Sequence, residues 1–392
     1  MQGDKGAVTV TAADGARAER DLGSESMRAV YRDLLRFGPR SRSELTARLG
    51  LSAPTVTRVT RELIEAGRLH PLEVLASTKG RPQEPLDIEE NDGPRFIGVK
   101  VTAEEIHAVV TTVRGNALEE LTLPLRGTAP EVVLEAVSTL ALTLAEAHPH
   151  VVGVGVSLGG RVDSRRTVVG STLLGWTRPQ EIAARLEERT RLPVVVENDL
   201  LAMIAGLHWF GLGRAYRSFA VLTVGAGVAL GTVFDDRVIT GRTHLAGITE
   251  AMPVGARPDG TPLPVGEVAR TENLLRRARE DGVLADGEGL PRLRELLAAE
   301  DPAACRIAGD LARALARAAA AVVALLDPEA VVVGGETLDV VRAAGGTFED
   351  TLRGAVAPAQ RDLVVRELGG DFDEWARGAA VIAIQDFVGA PA

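Results

Sequence analysis

The sequence predicts an α/β protein with a small helical head at its N-terminal end, and three observations predict it. From Arg95 onward, short Val/Ile-rich runs alternate with stretches of helical periodicity, the pattern of a sheet with helices packed on it. Before that, residues 26–67 hold helical patterning, which stops near Gly67. The charge divides in the same way. Residues 26–82 contain ten Arg and one Lys against five carboxylates, a net of +6, which leaves −16 for the rest of a chain whose net charge is −10. A compact basic head on an acidic body suggests a site for a polyanion, with the body kept off it.

Residues 1–24 are rich in Gly, Ala, Asp and Arg and lack apolar periodicity, so a flexible tail is expected there. The head is expected at 25–90. Within it, Ser41-Arg42-Ser43-Glu44 has the S-x-x-E spacing of a capping box, in which two side chains satisfy free amides at a helix start. Leu45 and Leu49 share one face of the helix that follows, and Gly50-Leu51 supplies a tight turn. Ser52 then caps a second helix with Pro54 in its first turn, where a missing N–H costs nothing. Val56, Val59 and Leu63 form that helix's apolar stripe, leaving Thr55, Thr57, Arg58 and Arg61 on or beside its exposed side. Those side chains, with Ser52 at the helix start, suit phosphates and base edges. Two short extended pieces around Thr78-Lys79-Gly80-Arg81-Pro82 are expected to make a wing, with Arg81 entering a minor groove. The pattern is that of a winged helix-turn-helix for double-stranded DNA; a three-helix interaction module with solvated arginines is the plainer alternative. Residues 89–94, acidic and ending in Gly-Pro, read as a linker.

In the body, residues 91–392, strands are expected at 96–101, 106–113, 151–156, 194–196, 219–224, 228–234 and 330–333. Helices are expected at 130–147, 179–190, 200–210, 265–279, 301–326 and 373–387. The two glycine-punctuated sets of strands predict two lobes with a cleft between them. A chain of 392 residues can bury two or three cores without metals or disulfides. Its one cysteine, Cys305, cannot close a disulfide within the chain, and no run approaches the roughly 18 apolar residues of a membrane span. A cytoplasmic protein with no membrane partner and no cofactor is expected.

Five segments follow one another in the body: Gly153-Val154-Gly155-Val156-Ser157-Leu158-Gly159-Gly160-Arg161-Val162-Asp163, Leu174-Gly175-Trp176, Leu192-Pro193-Val194-Val195-Val196-Glu197-Asn198-Asp199, Val224-Gly225-Ala226-Gly227-Val228 and Val332-Val333-Gly334-Gly335-Glu336. In order and spacing the chain resembles the ROK family of repressors and sugar kinases, with its G-x-G-x-P-G-x-V-D loop, L-x-G-W and L-P-V-x-V-E-N-D segments, second phosphate loop and glycine turn beside the nucleoside. The resemblance implies a two-lobed actin-like ATPase (ribonuclease H-like) domain, and the head matches the family's regulator branch. Read as residues alone, glycines at a strand end let backbone N–H groups approach an anion or hydroxyl, while Asn and Asp at the next strand end can grip adjacent sugar hydroxyls. Gly159, Gly160, Asn198 and Asp199 are therefore the candidate ligand site, and the resemblance makes Gly225, Gly227, Gly334 and Gly335 a vestigial nucleotide loop. The resemblance also implies that Asp199 stands where the kinases keep the base that takes a proton from the attacking hydroxyl. The plainer alternative is that Asn198 and Asp199 only cap the helix that starts at Leu200.

Two departures bear on activity. The kinases open with D-x-G-G-T-K, whose glycines and Thr hold ATP phosphates, whereas this chain has Gly98-Val99-Lys100-Val101-Thr102-Ala103-Glu104-Glu105. The glycine cradle is lost, and two carboxylates oppose phosphate. Lys100 is expected to be a strand-edge charge. The family's A-G-E-I-G-H segment, with a sugar-binding Glu and a zinc-binding His, is here Ala246-Gly247-Ile248-Thr249-Glu250-Ala251, and the three zinc cysteines are missing, so no metal is expected. Leu201 also replaces an Asn of the N-D-x-N segment. The expectation is a transcription regulator, a repressor answering to a sugar or sugar-phosphate effector and binding its operator as a homodimer or higher homo-oligomer, with no catalytic residues. A sugar kinase with an appended DNA-binding head and a regulator without a sugar ligand are the alternatives.

Overall fold

A computed structural model describes residues 22–73, 84–244, 246–247, 249–369 and 373–390. Arg81, most of the expected wing, and Ile248 lie outside the described residues.

Three helices come first: α1 (Glu25–Phe37), α2 (Arg42–Leu49) and α3 (Ala53–Glu65). The capping box closes, Ser41 N donating to Glu44 Oε2 at 2.8 Å and Glu44 N to Ser41 Oγ at 3.3 Å. Gly50, at φ +65°, takes the left-handed turn that ends α2, and Ser52 Oγ accepts from Thr55 N to start α3. Strands β1 (Leu69–Pro71) and β2 (Leu86–Ile88) pair antiparallel behind them.

The chain forms two compact units. One runs to Phe210 and takes the chain up again with the C-terminal helix; the other is Gly211–Asp371. The first unit is built on β3 (Arg95–Val101), β4 (Glu105–Thr112), β5 (Ala117–Pro124), β6 (Val151–Leu158) and β9 (Val194–Asn198), in the order β5-β4-β3-β6-β9. The first three form an antiparallel meander, and β6 and β9 join parallel. A small hairpin, β7 (Arg161–Asp163) with β8 (Thr167–Gly170), follows β6. Alternate residues of β3 face opposite sides. Ile97, Val99 and Val101 pack with α4 (Pro130–Ala147) and α5 (Ile182–Thr190). Phe96 faces the other core, with α6 (Asp199–Trp209), α13 (Asp373–Phe387) and the apolar face of the head helices.

Helix α13 lies directly on the sheet because two strand glycines make room for it. A β-carbon on Gly98 would lie 2.1 Å from Ala376 O, and one on Gly155 only 1.7 Å from Ala379 O. The expected linker at 89–94 is instead tied to this unit. Glu90 Oε1 accepts from Thr112 Oγ1 at 2.6 Å, Glu90 O from Arg95 at 2.6 Å, and Arg114 pairs with Asp87. Burial of β2 and α1 in the same core as α13 leaves that joint no freedom to act as a spacer.

The second unit repeats the plan with β10 (Phe219–Val224), β11 (Val228–Phe234), β12 (Arg237–Val238), β15 (Ala330–Gly334) and β16 (Val364–Glu367), in the order β12-β11-β10-β15-β16. Again three strands meander and two join parallel. Its core gathers on the alanine-rich α10 (Pro302–Leu326). Around it stand the hairpin β13 (Pro253–Ala256) and β14 (Pro262–Pro264), and helices α7 (Val265–Ala269), α8 (Thr271–Glu280), α9 (Leu290–Ala298), α11 (Leu338–Ala343) and α12 (Thr347–Ala355). The single helix expected at 265–279 is broken at Arg270, whose ψ is 136°. The break docks the chain on the Gly225–Gly227 turn: Arg270 Nε donates to Ala226 O at 3.1 Å and Thr271 N to Gly225 O at 2.8 Å. Among the described residues no helix is long and apolar enough to cross a membrane.

Candidate functional site

The C-terminal ends of β6 and β9 bring the four expected ligand residues together. Asn198 caps α6, its Oδ1 accepting from Leu200 N at 3.0 Å and Leu201 N at 3.3 Å, while its Nδ2 donates to Gly160 O at 2.9 Å. Most of its hydrogen-bonding capacity is thus used to join the Gly159–Gly160 loop to the helix start. Gly159 O accepts from Ser171 Oγ at 2.5 Å, and a β-carbon on Gly159 would lie 2.4 Å from Leu173 Cδ1. Asp199 differs from its neighbour. Its Oδ1 accepts from Leu200 N at 2.9 Å, but Oδ2 is held by the ammonium of Lys100.

Lys100 is therefore no strand-edge charge. It sits on β3, the middle strand of the first sheet, with its side chain 6% exposed, and its ammonium also lies 5.2 Å from the ring centroid of Trp375 in the first turn of α13. Burial excludes water, so the carboxylate and the ring supply what water would have supplied. The sequence pattern singled out neither this pairing nor Trp375.

The β3–β4 turn closes on itself. Thr102 Oγ1 accepts from Glu104 N at 3.3 Å and Glu105 N at 3.0 Å and donates to Glu105 O at 2.8 Å, while the Glu105 carboxylate lies 3.1 Å from His107 Nε2. The Glu104 and Glu105 amides are thus used within the turn. In the second unit, β-carbons on Gly225 and Gly227 would lie 3.0 Å from Glu336 Oε2 and 3.3 Å from Glu250 Oε1, so both loop glycines have a carboxylate beside them. Gly335, at φ +113°, lets the β15 turn pass over Val224, where a β-carbon would lie 2.2 Å from Val224 O. Gly334 packs on Leu368. Among the described residues, no group of three or more His, Cys, Asp and Glu is arranged to hold a metal.

On the head, α3 buries Val56, Val59, Thr60 and Leu63 and exposes Thr57, Arg58 and Arg61. Arg58 is 51% exposed and pairs with Glu62 at 2.8 Å; Arg61 is 69% exposed and lies 3.7 Å from Glu65. Such exposed i,i+4 pairs contribute about 0.3–0.5 kcal/mol and are readily exchanged for a phosphate. Thr55 is half-buried, its hydroxyl 2.8 Å from Ser52 Oγ at the helix start. Other arginines of the head are structural. Arg48 donates to the buried Asp33 at 3.0 Å, and Arg42 Nε donates to Thr60 Oγ1 at 3.0 Å.

Two sheets of one plan, with glycine loops at the ends of their strands, define an actin-like ATPase fold. The chain belongs to the ROK family, which residues 96–386 match. It is similar to a glucokinase of Streptomyces coelicolor, 31% identical over 62% of this chain and 82% of that one. It is also similar to the DNA-binding transcriptional dual regulator NagC of Escherichia coli, 23% identical over 79% of each chain. Among solved structures, a ROK family transcriptional regulator, a homologue of the E. coli MLC protein, superposes with a TM-score of 0.79 at 20% identity, covering 94% of this chain and 97% of that one. This last likeness is one of fold, and it extends over the head.

Proposed function

We propose that the protein is a sugar-responsive transcription regulator, a repressor that binds its operator through the winged helix-turn-helix of residues 25–90 and no longer transfers phosphate. The observation that carries the reading is α3, a helix capped by Ser52 that turns Thr57, Arg58 and Arg61 outward from a buried apolar face. The relatives support it, among them NagC, a putative xylose repressor of Caldicellulosiruptor and the xylose repressor of Bacillus subtilis. Asp199 engaged by Lys100, the self-closed Thr102 turn and the carboxylates beside Gly225 and Gly227 all weigh against phosphoryl transfer. The effector site is the Gly159–Gly160 loop with Asp199, and the protein acts as a homodimer on a two-fold operator.

Operator titration of Arg58→Ala and Arg61→Ala at several salt concentrations tests the reading. A lost base contact is expected to cost about 1–3 kcal/mol and relax specificity at one position, and a lost phosphate contact to reduce the salt slope by about one. Unchanged curves for both variants remove α3 from the interface.

A further inference from the structure

We propose that the Lys100–Asp199 pair and helix α1 are opposite ends of one strut, made of α6 and α13, and that an effector releases DNA by opening the pair. The proposal rests on reading the Asp199 site as the effector site. Helix α6 begins at Asp199, and its last turn meets α1, where Arg36 donates to His208 Nε2 at 3.1 Å and lies 5.6 Å from the Trp209 ring centroid. Helix α13 connects the same two places. Trp375 in its first turn lies against the Lys100 ammonium. At its other end, Phe387 packs edge-on to Tyr31 at 6.1 Å, and Arg32 donates to Val388 O at 3.4 Å and Gly389 O at 3.1 Å.

The two helices cross backbone against backbone. A β-carbon on Gly378 of α13 would lie 2.6 Å from Ala202 O of α6, and one on Gly206 of α6 would lie 3.1 Å from Gly378 Cα. No side chain stands between them to absorb a displacement by changing rotamer, so a shift of one is passed to the other.

Lys100 gives this site two arrangements. With Asp199 in place, its ammonium is buried and paired. A polyol that draws the Asp199 carboxylate onto its hydroxyls leaves that ammonium facing only an aromatic ring, and a buried cation without a counter-charge is strongly disfavoured. Lys100 then has to move, and Trp375 with it. The displaced residues are the first residue of α6 and the first turn of α13, so the change enters both members of the strut at once.

A double-mutant cycle on operator affinity tests this, using the duplex that the wild-type chain selects from a random library. Lys100→Met opens the pair, and Arg32→Ala loosens the far end of α13. Each is expected to weaken operator binding at least fivefold, the low end of usual allosteric couplings. The double variant is expected within about twofold of the weaker single one, because a strut cut at one end transmits nothing that a second cut could remove. Fold-changes that multiply, as they do for remote independent positions, or single variants with wild-type affinity, overturn the proposal. If Lys100→Met does not fold, Trp375→Leu replaces it at the same end. The cycle needs no effector. A wild-type protein whose operator affinity ignores glucose, xylose, N-acetylglucosamine and the hexose 6-phosphates overturns the effector reading, while the cycle still decides the strut.

Discussion

A lysine on the middle strand of a sheet is costly unless something neutralises it, and Lys100 finds that partner 99 residues away. Local spacing carries no trace of such a pair, which is why the sequence made Lys100 an edge charge while placing Asp199 correctly beside the Gly159–Gly160 loop. The head was legible because its signals are local: Ser41 and Glu44 are three residues apart, and the turn needs only Gly50. Hydrogen bonds from the Ser41 backbone N–H, then from its hydroxyl, hold the Glu44 carboxyl below the usual carboxylate range. A depressed acid contributes stability above its unfolded pKa of about 4.3 and loses it as pH falls through the folded value. Ser41→Ala is expected to destabilise the head by about 1 kcal/mol at neutral pH. The gap should narrow on acidification below about pH 4, in denaturant melts of both proteins across a pH series. A difference independent of pH would mean that the Ser41 hydroxyl, as distinct from its backbone N–H, does nothing to hold the Glu44 carboxylate.

At the scale of elements, the seven strands expected from Val/Ile-rich runs are all present, none displaced by more than two residues at an end. Strand β5 and the hairpins β7–β8 and β13–β14 escaped the pattern by being exposed or by being short. β5, Ala-Leu-Glu-Glu-Leu-Thr-Leu-Pro, is the outermost strand of its sheet and mostly exposed, so it carries acidic residues and no buried run. The hairpins β7–β8 and β13–β14 are too short for periodicity to register. The strand glycines Gly98 and Gly155, which no site call rested on, admit the backbone of α13. Gly155→Ala is expected to destabilise the first unit by about 3 kcal/mol, the upper end of overpacking, because its β-carbon meets main chain and not a flexible side chain. Gly354→Ala, near the end of α12 with nothing within 4 Å of a new β-carbon, is expected to be neutral or to stabilise by up to about 1 kcal/mol. Equal midpoints for the two variants in urea would contradict the close seating of α13.

At the scale of the whole molecule, two sheets share one strand order, and the proposed loss of phosphoryl transfer rests on one feature of each: the Lys100–Asp199 pair in the first and the carboxylates beside Gly225 and Gly227 in the second. A coupled assay with ATP over hexoses, pentoses and amino sugars is expected to give no sugar-dependent turnover, even though the glucokinase of Streptomyces coelicolor is 31% identical over the shared region. Turnover that disappears in Asp199→Ala would make Asp199 a working base and the Lys100 pair a resting state. The first unit is also discontinuous: its helix α13 is reached only after the whole of Gly211–Asp371. During synthesis the ribosome therefore releases the head and its sheet long before the helix that seals Gly98, Gly155 and α1. A message cut short anywhere in the second unit yields a polypeptide that carries the residues of α3 but lacks the helix against which α1 packs.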